Sequence, residues 1–194
     1  FKAALFGDSS IDIRNSMSTD SYNSDSGSYL TTVGTDGGDV GSNGIIEIMN
    51  GAVIGGDVTT SLEGGAIVNV GATVTGTIST DAPEQDLPAV TQEELDLAEA
   101  ASIASTGISG SYTYNSTTKS FRSNGDCTLA SGVYYFTDFV LDNSASLSIE
   151  PGAEVVIYVD GDIEIKNSGG INEGGVPEDL MIYSTGDLVL KNSG

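Results

Sequence analysis

Two ten-residue stretches constrain this chain more than any other feature. The segment Asp160 to Gly169 shares six of its ten residues with the segment Thr185 to Gly194, which lies 25 positions later (Asn167 to Asn192). The same order of acidic residue, apolar-x-apolar triplet, spacer, Asn and Ser occurs 24 positions earlier, from Asp138 to Ser144. A second landmark, an aliphatic residue followed by Tyr, keeps the same 24 and 25 spacing at Val133-Tyr134, Ile157-Tyr158 and Ile182-Tyr183. Short β-rich segments that repeat at this period, separated by Gly, Asn, Ser and Asp, are the pattern of a solenoid in which each period is one coil.

The pattern extends to the N-terminus, where Ile11-Asp12-Ile13 is followed by Arg14, Asn15 and Ser16. It returns at Ile46-Glu47-Ile48. There Gly51 to Val58 matches Gly71 to Ile78 at an offset of 20, so these coils are shorter. Alternation predicts that Ile46, Ile48, Val68, Val70, Val74 and Ile78 point inward. Residues 18–44 are almost wholly Ser, Thr, Asp, Asn and Gly and read as a polar loop. Residues 83–106 read as a helical insertion: Thr91 with Glu94 forms a capping box, and Leu95, Ala98 and Ser102, or Leu97, Ala101 and Ala104, supply a weakly apolar face. Tyr112 and Tyr114 followed by Phe121 and a turn at Asn124-Gly125-Asp126 predict a hairpin or departing strand.

The expected fold is therefore all-β, a right-handed parallel β-helix (β-solenoid) with one α-helical insertion, forming a single domain over residues 1–194. Its handedness follows from the crossover rule for parallel strands. An apolar content of 38% suits a narrow interior column filled by alternate residues of short strands. The opening at Phe1 and the stop in mid-repeat at Gly194 predict a piece of a longer protein, incomplete at both ends.

Charge narrows the partners. With 28 acidic and 6 basic residues, no His and a net charge of −22, the chain lacks the cations that phosphate neutralisation requires, which sets nucleic acid aside. No apolar run approaches the roughly 20 residues needed to span a bilayer, so no direct membrane insertion is expected in this segment. Cys127 is the only cysteine, and without a His to activate it reads as a small buried residue.

Candidate sites follow from the repeats. Asn15, Asn50, Asn143, Asn167 and Asn192 each follow an apolar-x-apolar triplet and form a structural ladder, through stacked amides or the left-handed turn conformation that Asn tolerates. Tyr134, Tyr158 and Tyr183 form an aromatic file, a structural stack with sugar stacking as the alternative. Asp36, Asp39, Asp160 and Asp162 are the calcium candidates, with Glu178/Asp179 a further acidic pair, because calcium gathers several carboxylate and carbonyl oxygens. No other cofactor is expected. Lys166 and Lys191 occupy equivalent repeat positions, which reads as a surface stack, and the chain is expected not to be an enzyme.

The segments Ser144 to Ile149, Val156 to Ile165 and Leu180 to Gly186, with the opening Ala3 to Gly7 leading through Ile11-Asp12-Ile13 to Ser24, closely resemble a secreted β-helix domain of unassigned function. In bacteria that domain often follows a pilin-like N-terminus in PilX-type, type IV pilus assembly proteins. The resemblance implies an extracellular or cell-surface structural or adhesive module with protein partners in a surface or pilus assembly. Gly51 to Val58 and Gly71 to Ile78 are also similar to bactofilins, cytoskeletal β-helices that polymerise end to end, which implies a filament subunit that self-associates through its β-helix ends. A polysaccharide-binding or polysaccharide-degrading β-helix protein is the remaining alternative.

Overall fold

The computed structural model describes residues 5–14, 16–21, 26–27, 29–34, 36–167, 169–172, 175 and 177–191. It is mostly β, with parallel strands in its sheets and few helices. The chain forms two compact units, Phe1–Leu87 and Pro88–Ser193. Among the described residues no helix is long and apolar enough to cross a membrane.

In the first unit the chain visits three parallel sheets in rotation. Strands β1 (Leu5–Gly7), β2 (Ser10–Ile13) and β3 (Ser18–Thr19) make one circuit, and β4 (Val40–Ser42), β5 (Ile45–Ile48) and β6 (Val53–Ile54) the next. Strands β7 (Val58–Thr60), β8 (Ala66–Val68) and β9 (Thr73–Val74) make a third, and β10 (Ile78–Ser79) begins a fourth. The sheets run β1-β4-β7-β10, β2-β5-β8 and β3-β6-β9. The 20-residue repeat is realised as register, since Val53 pairs with Thr73, Ile54 with Val74 and Val58 with Ile78. Ile11, Ile13, Val40, Ile46, Ile48, Ala52, Ile54 and Val58 fill an aliphatic core. Within the span read as a polar loop, β3 and β4 occupy the margins and Tyr29–Thr32 (α1) forms one helical turn.

The second unit opens with helix α2 (Gln92–Ala101). Thr91 caps it as its sequence predicts: the Thr91 side chain accepts from the Glu94 N–H, and the Glu94 carboxylate accepts from the Thr91 N–H at 2.8 Å. That contact lowers the Glu94 pKa, because the amide and the hydroxyl of Thr91 both stabilise the charged form. Leu95 and Ala98 are buried against Tyr135, whereas Leu97 faces water. The helix stops at Ala101 because Ser102 adopts an extended backbone and Ile103 donates its N–H to Val133 O at 2.9 Å.

A hairpin follows, β11 (Ile108–Asn115) antiparallel to β12 (Ser120–Leu129). Its chain reversal lies between these strands, and Lys119 has φ +59° there. Asn124-Gly125-Asp126, expected as a turn, instead lies within β12. The irregularity sits on the partner strand as a bulge between Gly110 and Tyr112, with Gly110 at φ +100°. β12 is long enough to form two sides of a circuit, pairing in parallel with β14 (Asp138–Leu141) and then with β15 (Ser146–Ile149). The third side is β13 (Gly132–Phe136), paired with β16 (Val155–Val159) and then β19 (Leu180–Ser184) through β16. β17 (Ile163–Lys166), β18 (Gly170–Ile171) and β20 (Leu188–Lys191) continue the other two sides.

The starting edge of this unit is closed. β11 covers β12; beside β13, Ser102 Oγ accepts from the Tyr135 N–H at 3.0 Å, and Ala130 donates its N–H to Gly107 O. Tyr134 is fully buried here and donates its hydroxyl to Gly107 O at 2.7 Å and Ala130 O at 2.8 Å. Burial pushes its pKa up to about 12 from 10.0, so this contact stabilises the fold fully below pH 10 and is lost as pH rises through about 12. Tyr134→Phe is expected to lower unfolding free energy by about 1–3 kcal/mol, since two carbonyls lose a buried donor, and to flatten the alkaline limb of stability. Urea titrations of both proteins at neutral and alkaline pH check this, and equal midpoints would refute it.

Candidate functional site

The residues that recur along the sequence meet where one circuit passes to the next. Asp39 Oδ1 accepts the Asp57 N–H at 2.8 Å, and Asp57 Oδ1 accepts both the Thr77 N–H at 2.7 Å and its hydroxyl at 3.0 Å. Asp162 Oδ1 accepts the Asp187 N–H at 2.9 Å in the same way. The backbone closes each rung, with Val58 donating to Thr77 O at 2.8 Å and Ile163 to Asp187 O at 2.9 Å. These bonds stabilise the ionised carboxylate, so the Asp57 pKa is lowered, first by the Thr77 amide and then by its hydroxyl.

A Gly precedes the donor residue of each rung for a steric reason. A Cβ on Gly76 would lie 2.6 Å from Gly56 O and one on Gly186 2.6 Å from Gly161 C, and each would also meet the rung carboxylate. The Gly-Asp dipeptide is thus one device: Gly allows the backbones to approach and Asp fastens them. A second device turns the corners. Ser42 Oγ accepts the Gly44 N–H at 2.9 Å, and Ser184 Oγ accepts the Gly186 N–H at 3.2 Å while donating to Gly161 O at 2.8 Å. Sequence reasoning missed both devices, although Gly-Asp recurs at 38–39, 56–57, 161–162 and 186–187, and Ser-x-Gly at 42–44, 123–125 and 184–186.

The calcium candidates are engaged separately. Asp39 and Asp162 carry the rungs, Asp160 accepts from the Tyr135 and Thr185 hydroxyls at 3.2 Å each, and Asp36 is exposed. Among the described residues no three metal-ligating side chains come together. Of the Asn ladder, Asn15 and Asn192 lie outside the described residues. Asn50, Asn143 and Asn167 all have positive φ, between 53° and 57°. Each sits in a reversal closed by a backbone bond, Ala52 to Met49, Ala145 to Asp142 and Gly169 to Lys166. Asn143 and Asn167 share a register, but no bond joins their side-chain amides; their turn conformation is the common feature.

The aromatic file differs by one residue from the sequence expectation. Register pairs Tyr135, not Tyr134, with Tyr158 and Tyr183; Tyr134 aligns with Ile157 and points into the core. The corner before Ile163 holds one residue more than the corner before Phe139, so Tyr135 to Tyr158 is 23 positions while Phe139 to Ile163 is 24. Tyr158 and Tyr183 stack at 5.0 Å between ring centroids, which covers one face of each ring. Beside them Glu94, Leu97, Ala98, Ala101, Val133 and Tyr158 line a shallow, mostly apolar cleft of about 240 Å³.

Among the described residues four of the chain's six cations are paired. Arg122 and Lys166 both bind Asp142, Lys166 at 3.3 Å and also Glu164 at 2.6 Å; Arg14 pairs with Asp12 and Glu47, and Lys119 with Glu99. Cys127 is buried, and burial pushes its thiol pKa up, away from nucleophilic reactivity.

Residues 89–194 match the family model DUF7305, a domain of unknown function. No curated protein matches the chain. Among solved structures, the crystal structure of the tapirin C-terminal domain of Caldicellulosiruptor kristjanssonii aligns with 100% of this chain and 63% of its own, at 11% identity and a TM-score of 0.26. The chain thus spans less than two-thirds of that domain.

Both halves of the Gly-Asp device can be tested. Gly76→Ala is expected to cost about 1–3 kcal/mol of stability through forced overpacking, measured by thermal unfolding; an unchanged melting point would refute the close approach. Because the folded Asp57 pKa is depressed, its contribution is present above the ordinary carboxylate range and is lost as pH falls through the lowered value. Asp57→Asn should therefore differ from the parent at neutral pH and converge with it in acid. A constant difference across pH would count against a charged rung.

Proposed function

We propose that this chain, which belongs to the DUF7305 family, is a right-handed parallel β-helix serving as a non-enzymatic structural or adhesive module of a bacterial cell-surface assembly. One observation carries the reading: the repeated polar residues are consumed by contacts between circuits. Asp39, Asp57 and Asp162 hold backbone amides, and Asp142 holds Arg122 and Lys166. A chemical site needs a unique constellation of free groups, whereas here the same bonds recur circuit after circuit. What such recurrence builds is a scaffold that grows one circuit at a time. The parallel circuits through three sheets support the helix, and the crossover rule supports its hand.

The surface setting rests on the likeness of Ser144 to Ile149, Val156 to Ile165 and Leu180 to Gly186 to secreted domains of pilus assembly proteins. Protein partners in a pilus-associated assembly, and extracellular display, belong to that reading. A filament subunit resembling bactofilins is the second reading, favoured by the 20-residue register of the first unit.

Protease shaving and membrane-impermeant biotin labelling of intact bacteria expressing the native gene test the location. Labelled protein on whole cells is expected. Protection until the cells are lysed would overturn the surface role and favour the cytoskeletal reading.

A further inference from the structure

The first unit ends on an open circuit. Strands β10, β8 and β9 are the outermost members of its three sheets, and among the described residues each lacks a strand on its far edge. The inward positions that are sealed one circuit earlier are unsealed here. Ile48 and Val58 are 0% exposed, but their register partners Val68 and Ile78 are 37% and 49% exposed. Val70, expected to point inward, is wholly exposed. Among the described residues of this unit no strand folds back over this face. After Asp81 the chain runs the other way, with Ala82 donating to Thr60 O beside β7 and Gln85 exchanging two hydrogen bonds with Asn43, just beyond β4.

Charge is withdrawn from this circuit alone among those of the unit. The outward file Asp12, Glu47 continues as Ile67, and the rung file Asp39, Asp57 ends as Thr77. From Gly64 to Thr80 no residue is charged, in a chain of net charge −22. Exposed sheet edges are ordinarily protected by charge, Pro or a covering element. The second unit has such a cover in β11; the end of the first has none of these devices among its described residues.

We propose that this end circuit is a homotypic docking face, joined to the same circuit of a second copy across a two-fold axis. Two copies of this chain repel through their acidic flanks, and the face free of charge is where they can meet. A basic partner would be drawn to the flanks instead. Across a two-fold axis perpendicular to the stacking direction the edge strands meet antiparallel, so unpaired N–H groups face C=O groups of the opposing edges, and one patch serves both sides. Val68, Val70, Val74 and Ile78 of each copy then exclude water from the other. The contact names a partner for the assembly role proposed above, and it rests on that role only for its biological setting.

Sedimentation of the native chain over a wide concentration range tests this, with hydrogen exchange followed over residues 66–79. Expected are a monomer–dimer equilibrium, slowed exchange in the dimer, and at least about tenfold weaker association for Val70→Lys or Ile78→Lys, from like charges brought together. Mixing Val70→Lys with Val70→Glu should restore pairing. Val70 and Ile78 are exposed, and an unchanged circular dichroism melt confirms that the variants fold. A monomer at every concentration, pairing indifferent to these substitutions, or open-ended polymers would overturn the two-fold contact. None of those outcomes bears on surface labelling of intact cells, so the two proposals fail separately.

Discussion

Everything in this molecule depends on how closely one circuit's backbone lies on the next. Parallel strands sit about 4.8 Å apart, and that spacing must hold through the corners as well as along the strands. At the corners no side chain can stand between successive backbones, which is why Gly56, Gly76 and Gly186 face backbone atoms of the preceding circuit. The same closeness brings each rung carboxylate within reach of the next circuit's amide. An amide left unpaired there would cost more than the net gain of an ordinary hydrogen bond. Gly-Asp therefore recurs for steric and polar reasons together.

Circuit length then sets the composition of each core. Register steps of 18 and 20 residues, Val40 to Val58 and Val58 to Ile78, enclose a narrow interior filled by Ile, Val and Ala. Steps of 24 and 25, Leu141 to Ile165 and Ile165 to Leu190, accompany a core that takes rings. Phe121, Phe136 and Phe139 pack there with centroids 5.0–5.7 Å apart, beneath Tyr112 and Tyr114 of the covering strand. A modest apolar fraction suffices, because each circuit has only to fill its own cross-section and seal against two neighbours.

This division of labour explains what was legible in the sequence. Period and alternation announced the parallel strands, the shorter first circuits and the buried Ile46 and Ile48, because stacking forces equivalent residues into register. Thr91 and Glu94 announced the helix, since a capping box is local. Asn50, Asn143 and Asn167 were visible as a file, but the left-handed turn that unites them had to be chosen over an amide ladder. What escaped depended on contacts between circuits. Tyr134 exchanges its expected place with Tyr135 because corners differ by one residue, and one residue inverts a side chain. Val70 fails to turn inward because alternation stops where β8 ends. The Asp rungs escaped because an acidic residue in a polar corner resembles solvated surface until its partner one circuit away is known.

The acidic surplus is governed by the same geometry. Like charges stacked in register repel, and the repulsion grows with each added circuit. The Asp rungs tolerate this because each carboxylate faces an amide dipole, and Asp142 because it lies between Arg122 and Lys166. Arg14 compensates Asp12 and Glu47 in the same way, and the file ends beyond its reach in an uncharged residue, Ile67. Charge in this chain thus marks the flanks that water is to keep, and its withdrawal over one whole circuit separates an end built for contact from sides built for solvent.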